Sequence, residues 1–305
     1  MGIRERAIQK VAGTSTLRAR RGEQNTRGGA AMRLWFTAAL LVVLQSVLSA
    51  QGQPPVQLTP VQQEQFLRTA KVVNSRQLGK GVTHALRVTL EKDGLRHDAE
   101  FQTIDLAMRE FRTATDVEMN FKDTYKFNIA GYRLAVLLGI GDMVPVSIER
   151  HIQGRYGALT CWIDDVLMDE TMRVAAKTEA PDQVRWNREM EVVRVFDQLI
   201  ANTDRNMGNI LIDKQWRIWM IDHSRAFRTH TWLLKPQHLK HCDRGMLERM
   251  RGLTDEVLKE QLSPWVNSLE RKGILARRDI IVRFFDDAVA KTSEAAVLID
   301  RPKRD

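Results

Sequence analysis

Residues 196–227 read FDQLIANTDRNMGNILIDKQWRIWMIDHSRAF. An apolar helix end, Val195-Phe196-Asp197-Gln198-Leu199-Ile200, runs into a polar loop, Asn202 to Asn209. Ile210-Leu211-Ile212 follows as a short apolar run, a turn falls at Asp213-Lys214-Gln215, and a second apolar run, Arg217 to Ile221, stops at Asp222. Two short apolar runs joined by turn residues spell a hairpin. A hairpin brings the chain back to where it started, so the loop before its first strand and the residue after its second share one end. Asp204, Asn209 and Asp222 are therefore expected to converge.

Such a cluster suits a hard cation, because Mg²⁺ takes one or two carboxylates and completes its shell with other oxygens, often substrate phosphates. Asn209 and Asp222 fit as metal ligands. Asp204, five residues before Asn209, is left free to take a proton from an attacking hydroxyl. A base Asp, an Asn on metal and a second Asp on metal are the parts of phosphoryl transfer. Turn chemistry alone also fills loops with Asp and Asn, but it does not set three of them in register between apolar flanks. The stretch resembles the catalytic loop and metal-binding segment of the protein-kinase-like superfamily, which keeps D-x4-N followed by a strand-borne Asp. The closer likeness is to its atypical branch, the phosphoinositide 3- and 4-kinases, HipA-type kinases and secretory-pathway kinases, and to an uncharacterised bacterial group sharing that core. These carry D-R-x-x-x-N and I-D-x-G-x-A-F variants where ordinary protein kinases have H-R-D and D-F-G.

The resemblance implies a two-lobed α+β fold: a small antiparallel-sheet lobe over residues 59–165 and a mostly helical lobe over 166–300. It also implies ATP and Mg²⁺ as cofactors and a hydroxyl acceptor, whether protein, lipid or small molecule. The upstream sequence fits the first lobe. Thr59-Pro60 with Gln63 starts a helix, Pro taking the first helical position. Val72-Val73 opens a strand, Leu78-Gly79-Lys80-Gly81 turns it, and His84 to Leu90 alternates as a second. Lys92-Asp93-Gly94 is a hairpin turn, and Leu95 to Ile104 is a third strand. In the family a Gly-bearing turn here covers the phosphates, which assigns Gly79, Lys80 and Gly81 to nucleotide binding; an ordinary hairpin reads equally well. The turn is not the G-x-x-x-x-G-K-[ST] phosphate loop. Tyr125 to Leu138 is an amphipathic helix. Val144–Ile148 and Ala158–Ile163 are two more strands, and Asp164-Asp165 falls where the lobes join.

The pattern then departs from the family, which places a Lys on the third strand, ion-paired to a Glu on the next helix. Here Gln102 stands where the Lys is expected and Asn128 where the Glu is. Losing both leaves no buried unpaired charge, and a Gln102–Asn128 hydrogen bond is the expected replacement. The missing positive charge falls to Lys80, Lys122 or Lys126.

In the second lobe Pro181-Asp182 opens a long helix through Trp186, Met190, Val193, Phe196 and Ile200. Arg205 either pairs locally or is solvated. His223 reads as a polar structural group rather than a base, since no partner is identifiable. Leu239 to Met250, Thr254 to Leu262 and Arg278 to Leu298 read as helices, with Lys272-Gly273 as punctuation and Arg277-Arg278 as a solvated helix end. His238, His241 and Cys242 lack the ligand number of a zinc site and read as helix surface. Residues 301–305 read as a frayed tail.

The net charge of +9 is unevenly spread. Residues 1–50 hold eight basic and two acidic residues, which leaves 39 basic against 36 acidic in the rest. A nearly balanced body gives no argument for nucleic-acid binding. Residues 1–31 are basic, aperiodic and read as disordered. Met32-Arg33, the apolar run Leu34 to Leu44 and the stretch ending at Ala50 have the order of a secretory signal, with a retained anchor or membrane association through residues 34–48 as the other reading and Met32 as a candidate true start. Residues 51–58 are a linker. The sequence thus points to an exported phosphotransferase; a catalytically silent nucleotide- or protein-binding module and an AMP transferase are the alternatives.

Overall fold

The computed structural model describes residues 58–79, 85–112, 117–302 and 304. Lys80, Gly81, His84 and the 32–50 segment lie outside them. The first lobe opens with helix α1 (Pro60–Thr69), where Thr59 accepts from the Gln62 amide and the Gln62 side chain returns to the Thr59 amide at 2.8 Å. That reciprocal pair satisfies two donors a helix start leaves free. Beyond it lie β1 (Lys71–Gln77), β2 (Leu86–Lys92) and β3 (Leu95–Gln102). Asp93 and Gly94, at φ of 51° and 79°, make the β2–β3 turn. With β6 (Ser147–Ile152) and β7 (Arg155–Cys161) these strands form an antiparallel five-stranded sheet in the order β1-β2-β3-β7-β6.

Period-two alternation sends Val88, Leu90, Ala99, Phe101 and Leu159 into the core with Phe66 and Leu67 of α1. The opposite face carries Glu100, Gln102, Ser147 and Thr160, Glu100 and Ser147 both being paired across strands with Thr160. Between β3 and the next helix stands a hairpin in a stretch to which the sequence reading assigns no element, β4 (Asp105–Arg112) with β5 (Val117–Thr124). Its faces are largely exposed, so it lacks the apolar alternation that marks a half-buried strand; Phe111 stacks on Phe121 at 4.3 Å. The hairpin leads into α2 (Lys126–Leu137), which buries Phe127, Ile129, Ala130 and Leu134.

The chain crosses at residues 162–165 into β8 (Val166–Asp169), short α3 (Glu170–Ala175) and long α4 (Gln183–Ile200), capped by Asp182. β9 (Ile210–Asp213) and β10 (Ile218–Met220) are the predicted hairpin, and β8 joins them in a three-stranded sheet. Buried Asp213 builds its turn by accepting from the Gln215 and Arg217 amides, at 2.9 and 3.0 Å. The rest comprises β11 (Cys242–Asp243), α5 (Arg244–Arg251), α6 (Asp255–Leu262), α7 (Ser268–Lys291), α8 (Glu294–Val297) and β12 (Leu298–Ile299).

Several expectations need correction here. The helix expected from Leu239 begins at Arg244, where Asp243 accepts from the Met246 amide, and Cys242 is a buried strand residue rather than helix surface. The helix expected from Arg278 begins ten residues earlier, at a capping box of Asn267 and Glu270, and ends at Lys291. Gly273 sits inside it because a Cβ there would come within 2.8 Å of the Arg228 carbonyl. Arg277 is no solvated end: it is wholly buried, donates to the Leu199 and Arg228 carbonyls at 2.8 and 2.9 Å, and burial lowers its pKa to about 10. The described residues of the tail are docked rather than frayed. Arg301 pairs with Asp142 at 2.7 Å, and Arg304 with fully buried Glu189 at 2.7 Å.

Candidate active site

The catalytic-loop stretch is shaped by one buried cation. Helix α4 stops when Ala201 turns left-handed, at φ 48°. Asn202 folds back, its amide on the Asp197 carbonyl at 3.0 Å, and its side-chain oxygen then accepts from the Asp204 amide at 3.1 Å. Arg205 lies beneath the loop, with both it and Asp197 about 10% exposed. Its Nε contacts the two Asp197 oxygens at 3.0 and 3.2 Å. One terminal nitrogen donates to the carbonyls of Asn209 and Ile221, at 2.8 and 2.7 Å, and the other meets His223 Nε2 at 3.0 Å. The Ile221 amide closes the ring by donating to the Asn209 carbonyl at 3.1 Å. Of the two readings of Arg205, local pairing is the one the structure has.

Asn209 and the residue before Asp222 are thus held on a single guanidinium. Asp204 stands on the same loop, its carbonyl 3.4 Å from the Asn209 side-chain amide. Its carboxylate lies 3.8 Å from Arg225. Asp222, at φ 53°, turns back so that one carboxylate oxygen accepts from the Ser224 amide at 3.3 Å. His223 is buried; burial first and the Arg205 charge second hold its pKa well below the ordinary value, so the ring is a neutral acceptor for Arg205. Gly131 of α2 leaves room for it, since a Cβ there would come within 3.0 Å of the imidazole.

The first lobe reaches this cluster through amides. The Asn128 side chain donates to Gln102 Oε1, and its own oxygen accepts from the His223 amide at 2.7 Å. One neutral side chain therefore joins β3, α2 and the segment after Asp222. Of the candidate lysines, Lys122 pairs with Glu270 and Lys126 with Asp105, the latter at 2.7 Å, so both are committed elsewhere. Gly79 is exposed, and a Cβ on it would meet nothing within 4 Å. It is not among the residues lining the cleft between the lobes.

That cleft brings Gln102, Asn128 and Asp222 together with a residue the sequence reading passed over, Glu100. Burial, then the Asp222 charge, pushes its carboxyl up to about 7. The signal was available, because residues two apart on a strand share a face and Gln102 had already been placed there. Asp123, on the unanticipated hairpin, is a second addition. It bonds the Ser224 side chain, its Oδ1 is buried without a partner, and burial with the charges of Asp222 and Asp204 raises its pKa. The oxygen-only donor set fits a hard divalent cation. Among the described residues no three His, Cys, Asp or Glu side chains are grouped so as to hold a metal ion by themselves.

No protein-family profile and no curated protein sequence matches the chain. Solved structures do. Hydra Fam20 with sugar superposes with a TM-score of 0.61 at 14% identity, over 79% of this chain and 92% of that one. The Golgi casein kinase gives 0.55 at 12% identity, over 80% of this chain and 79% of that one. A structure of the Golgi casein kinase with Mn/ADP bound gives 0.56 at 12%, over 80% of each chain. The chain shares the two-lobed α+β fold of these structures.

Proposed function

We propose that the chain is an ATP- and divalent-metal-dependent phosphotransferase acting on a hydroxyl acceptor. The observation carrying this reading is the Arg205 anchor, which binds the Asn209 and Ile221 carbonyls at once and so holds a base-bearing loop and a metal-binding segment at one end of the β9–β10 hairpin. Asp204 orients the acceptor hydroxyl and takes its proton. Asn209 and Asp222 hold the metal, which supplies charge neutralisation at the phosphates. No covalent intermediate on the protein is required, because positioning and charge stabilisation account for phosphoryl transfer. The Mn/ADP complex of the structurally similar Golgi casein kinase supports the choice of cofactors. The secretory-signal pattern at residues 32–50 supports export; among the described residues no helix is long and apolar enough to cross a membrane.

A second reading, a nucleotide-binding module without catalysis, is favoured by the Gln102–Asn128 pair, which brings no positive charge to the phosphates. AMP transfer from the same site is a third. Incubating the purified chain with Mg²⁺ or Mn²⁺, γ- or α-labelled ATP and a mixed pool of hydroxyl acceptors separates them. γ-Label on an acceptor or on the chain supports phosphotransfer, α-label means AMP transfer, and nucleotide binding without transfer overturns both. Amino-terminal sequencing of the native protein tests export: cleavage near Ala50 is expected, and a mature chain retaining Gly2 refutes it.

A further inference from the structure

We propose that the β4–β5 hairpin positions the base: Glu118 of β5 holds Arg225, and Arg225 in turn orients the Asp204 carboxylate. This deepens the phosphotransfer reading and rests on Asp204 being its base.

The two strands of the hairpin form a sheet of their own and are largely exposed, and a two-stranded hairpin alone is marginally stable. What holds it is the second lobe. The Thr124 amide donates to the Ser224 carbonyl at 3.0 Å, Lys122 pairs with Glu270 at the start of α7, and the Lys122 carbonyl accepts from Arg228 at 2.8 Å. β5 is thereby fixed against the segment that follows Asp222.

Glu118 uses that anchorage. One of its oxygens lies 2.7 Å from Arg228 Nε, and the other accepts from a terminal nitrogen of Arg225 at 3.3 Å. The Arg225 guanidinium lies over the Phe121 ring, 4.9 Å from its centroid. Its other terminal nitrogen is 3.8 Å from Asp204 Oδ2. One planar fork therefore spans two carboxylates, one on the hairpin and one on the catalytic loop, a geometry that Arg offers and Lys does not. The loop backbone is tied to the same residues. The Thr203 amide and hydroxyl donate to the Arg225 carbonyl at 3.3 and 3.0 Å, and Arg228 donates to the Thr203 hydroxyl at 3.2 Å.

The Asp204 side chain is itself 44% exposed, so packing does not fix its rotamer. A contact of 3.8 Å is too long for a hydrogen bond but close enough for a charge to steer a carboxylate. Arg225 thus orients the base without a hydrogen bond that proton transfer would have to break.

The test is steady-state transfer by the full chain from γ-labelled ATP, with Mn²⁺ and the mixed pool of hydroxyl acceptors. Glu118→Gln keeps the shape and removes the charge. It is expected to lower kcat about tenfold or more while KM for ATP stays within about twofold, the pattern of a base held out of line. In an Asp204→Asn background the same change should cost less than about twofold, because no base is left to misplace. Glu110→Gln, on the same hairpin but paired with Arg112, should match wild type. An unchanged kcat in Glu118→Gln, an equal loss with and without Asp204, or an equal loss in Glu110→Gln overturns the proposal. General loosening of the fold would raise KM and add to the Asp204→Asn loss, so it is told apart from positioning. Should Glu118→Gln fail to fold, Arg225→Lys takes its place. The charge stays but cannot span both carboxylates, so the same loss and the same non-additivity are expected, and full activity overturns the proposal. A wild type that transfers no label sinks the phosphotransfer reading and this role with it, whereas transfer indifferent to Glu118 sinks this role alone.

Discussion

The two halves of the cleft are built from different materials. On the helical side, a buried ion pair sets the geometry: Arg205 against Asp197, with two carbonyls and a neutral imidazole completing its contacts. On the sheet side, the corresponding link is an amide pair, Asn128 on Gln102. A charged donor makes stronger hydrogen bonds than a neutral one, and an amide pair avoids the cost of isolating a charge if either partner moves. The helical half is therefore the rigid one, and the sheet half joins it through a link that is cheaper to remake. The difference also leaves an electrostatic imprint, because with amides at Gln102 and Asn128 the described residues lining the cleft include Glu100 and Asp222 but no Lys or Arg.

Substitutions on each side test that contrast. Arg205→Met should have the largest effect, since it strands the buried Asp197 carboxylate and frees the Asn209 and Ile221 carbonyls. A loss of about 3–5 kcal/mol is expected in urea unfolding, and a loss under 1 kcal/mol would show that the ion pair does not set the loop. Asp204→Asn should leave the melting temperature near wild type while lowering labelled-phosphate transfer by about a hundredfold or more, the range for removal of a general base. Asn128→Ala should cost about 1–3 kcal/mol by leaving the Gln102 oxygen and the His223 amide unpaired. If it cost as much as Arg205→Met, the sheet half would be no softer than the helical half.

The smallest effect depends on pH. Folding holds the Glu100 carboxyl up to about 7, against 4.5 for an ordinary glutamate. Between those values the folded chain keeps a proton that the unfolded chain releases. The neutral form's contribution is fully present below about 4.5 and is lost as pH rises through about 7. Glu100→Gln is neutral throughout. In chelator, it should match wild type near pH 4 and exceed it by on the order of 2 kcal/mol at pH 8. Equal melting curves at both pH values would mean that water reaches the carboxylate freely.

How much could be read beforehand varied with the range of the interaction. The β9–β10 hairpin, α4 and its cap and the β2–β3 turn rest on neighbours in sequence, the Gln102–Asn128 contact on the positions that the family resemblance implies, and they appear as expected. The β4–β5 hairpin escaped notice because both its faces are largely exposed, so it lacks the alternation that reveals a strand. Helix α7 was cut short because Gly273 and Arg277 look like a break and a solvated end. Only the approach of the Arg228 carbonyl explains the first, and only the carbonyls of Leu199, Arg228 and His230 explain the second. The tail is polar, and its docking depends on Asp142 and Glu189, more than a hundred residues away.

What the sequence by itself determined was the β9–β10 hairpin and the helix and polar loop that lead into it, because a hairpin and a short polar loop leave the backbone few ways to run. Only the tertiary structure decided the electrostatics of the cleft. Whether Arg87 meets Glu100 or Asp98, whether Lys122 turns to the cleft or to Glu270, and whether Arg205 is solvated or buried depend on which groups packing has brought close and which it has shut away from water. Charge interactions in a low-dielectric interior change with a few ångströms of separation, and that separation is a property of the folded chain rather than of its spelling.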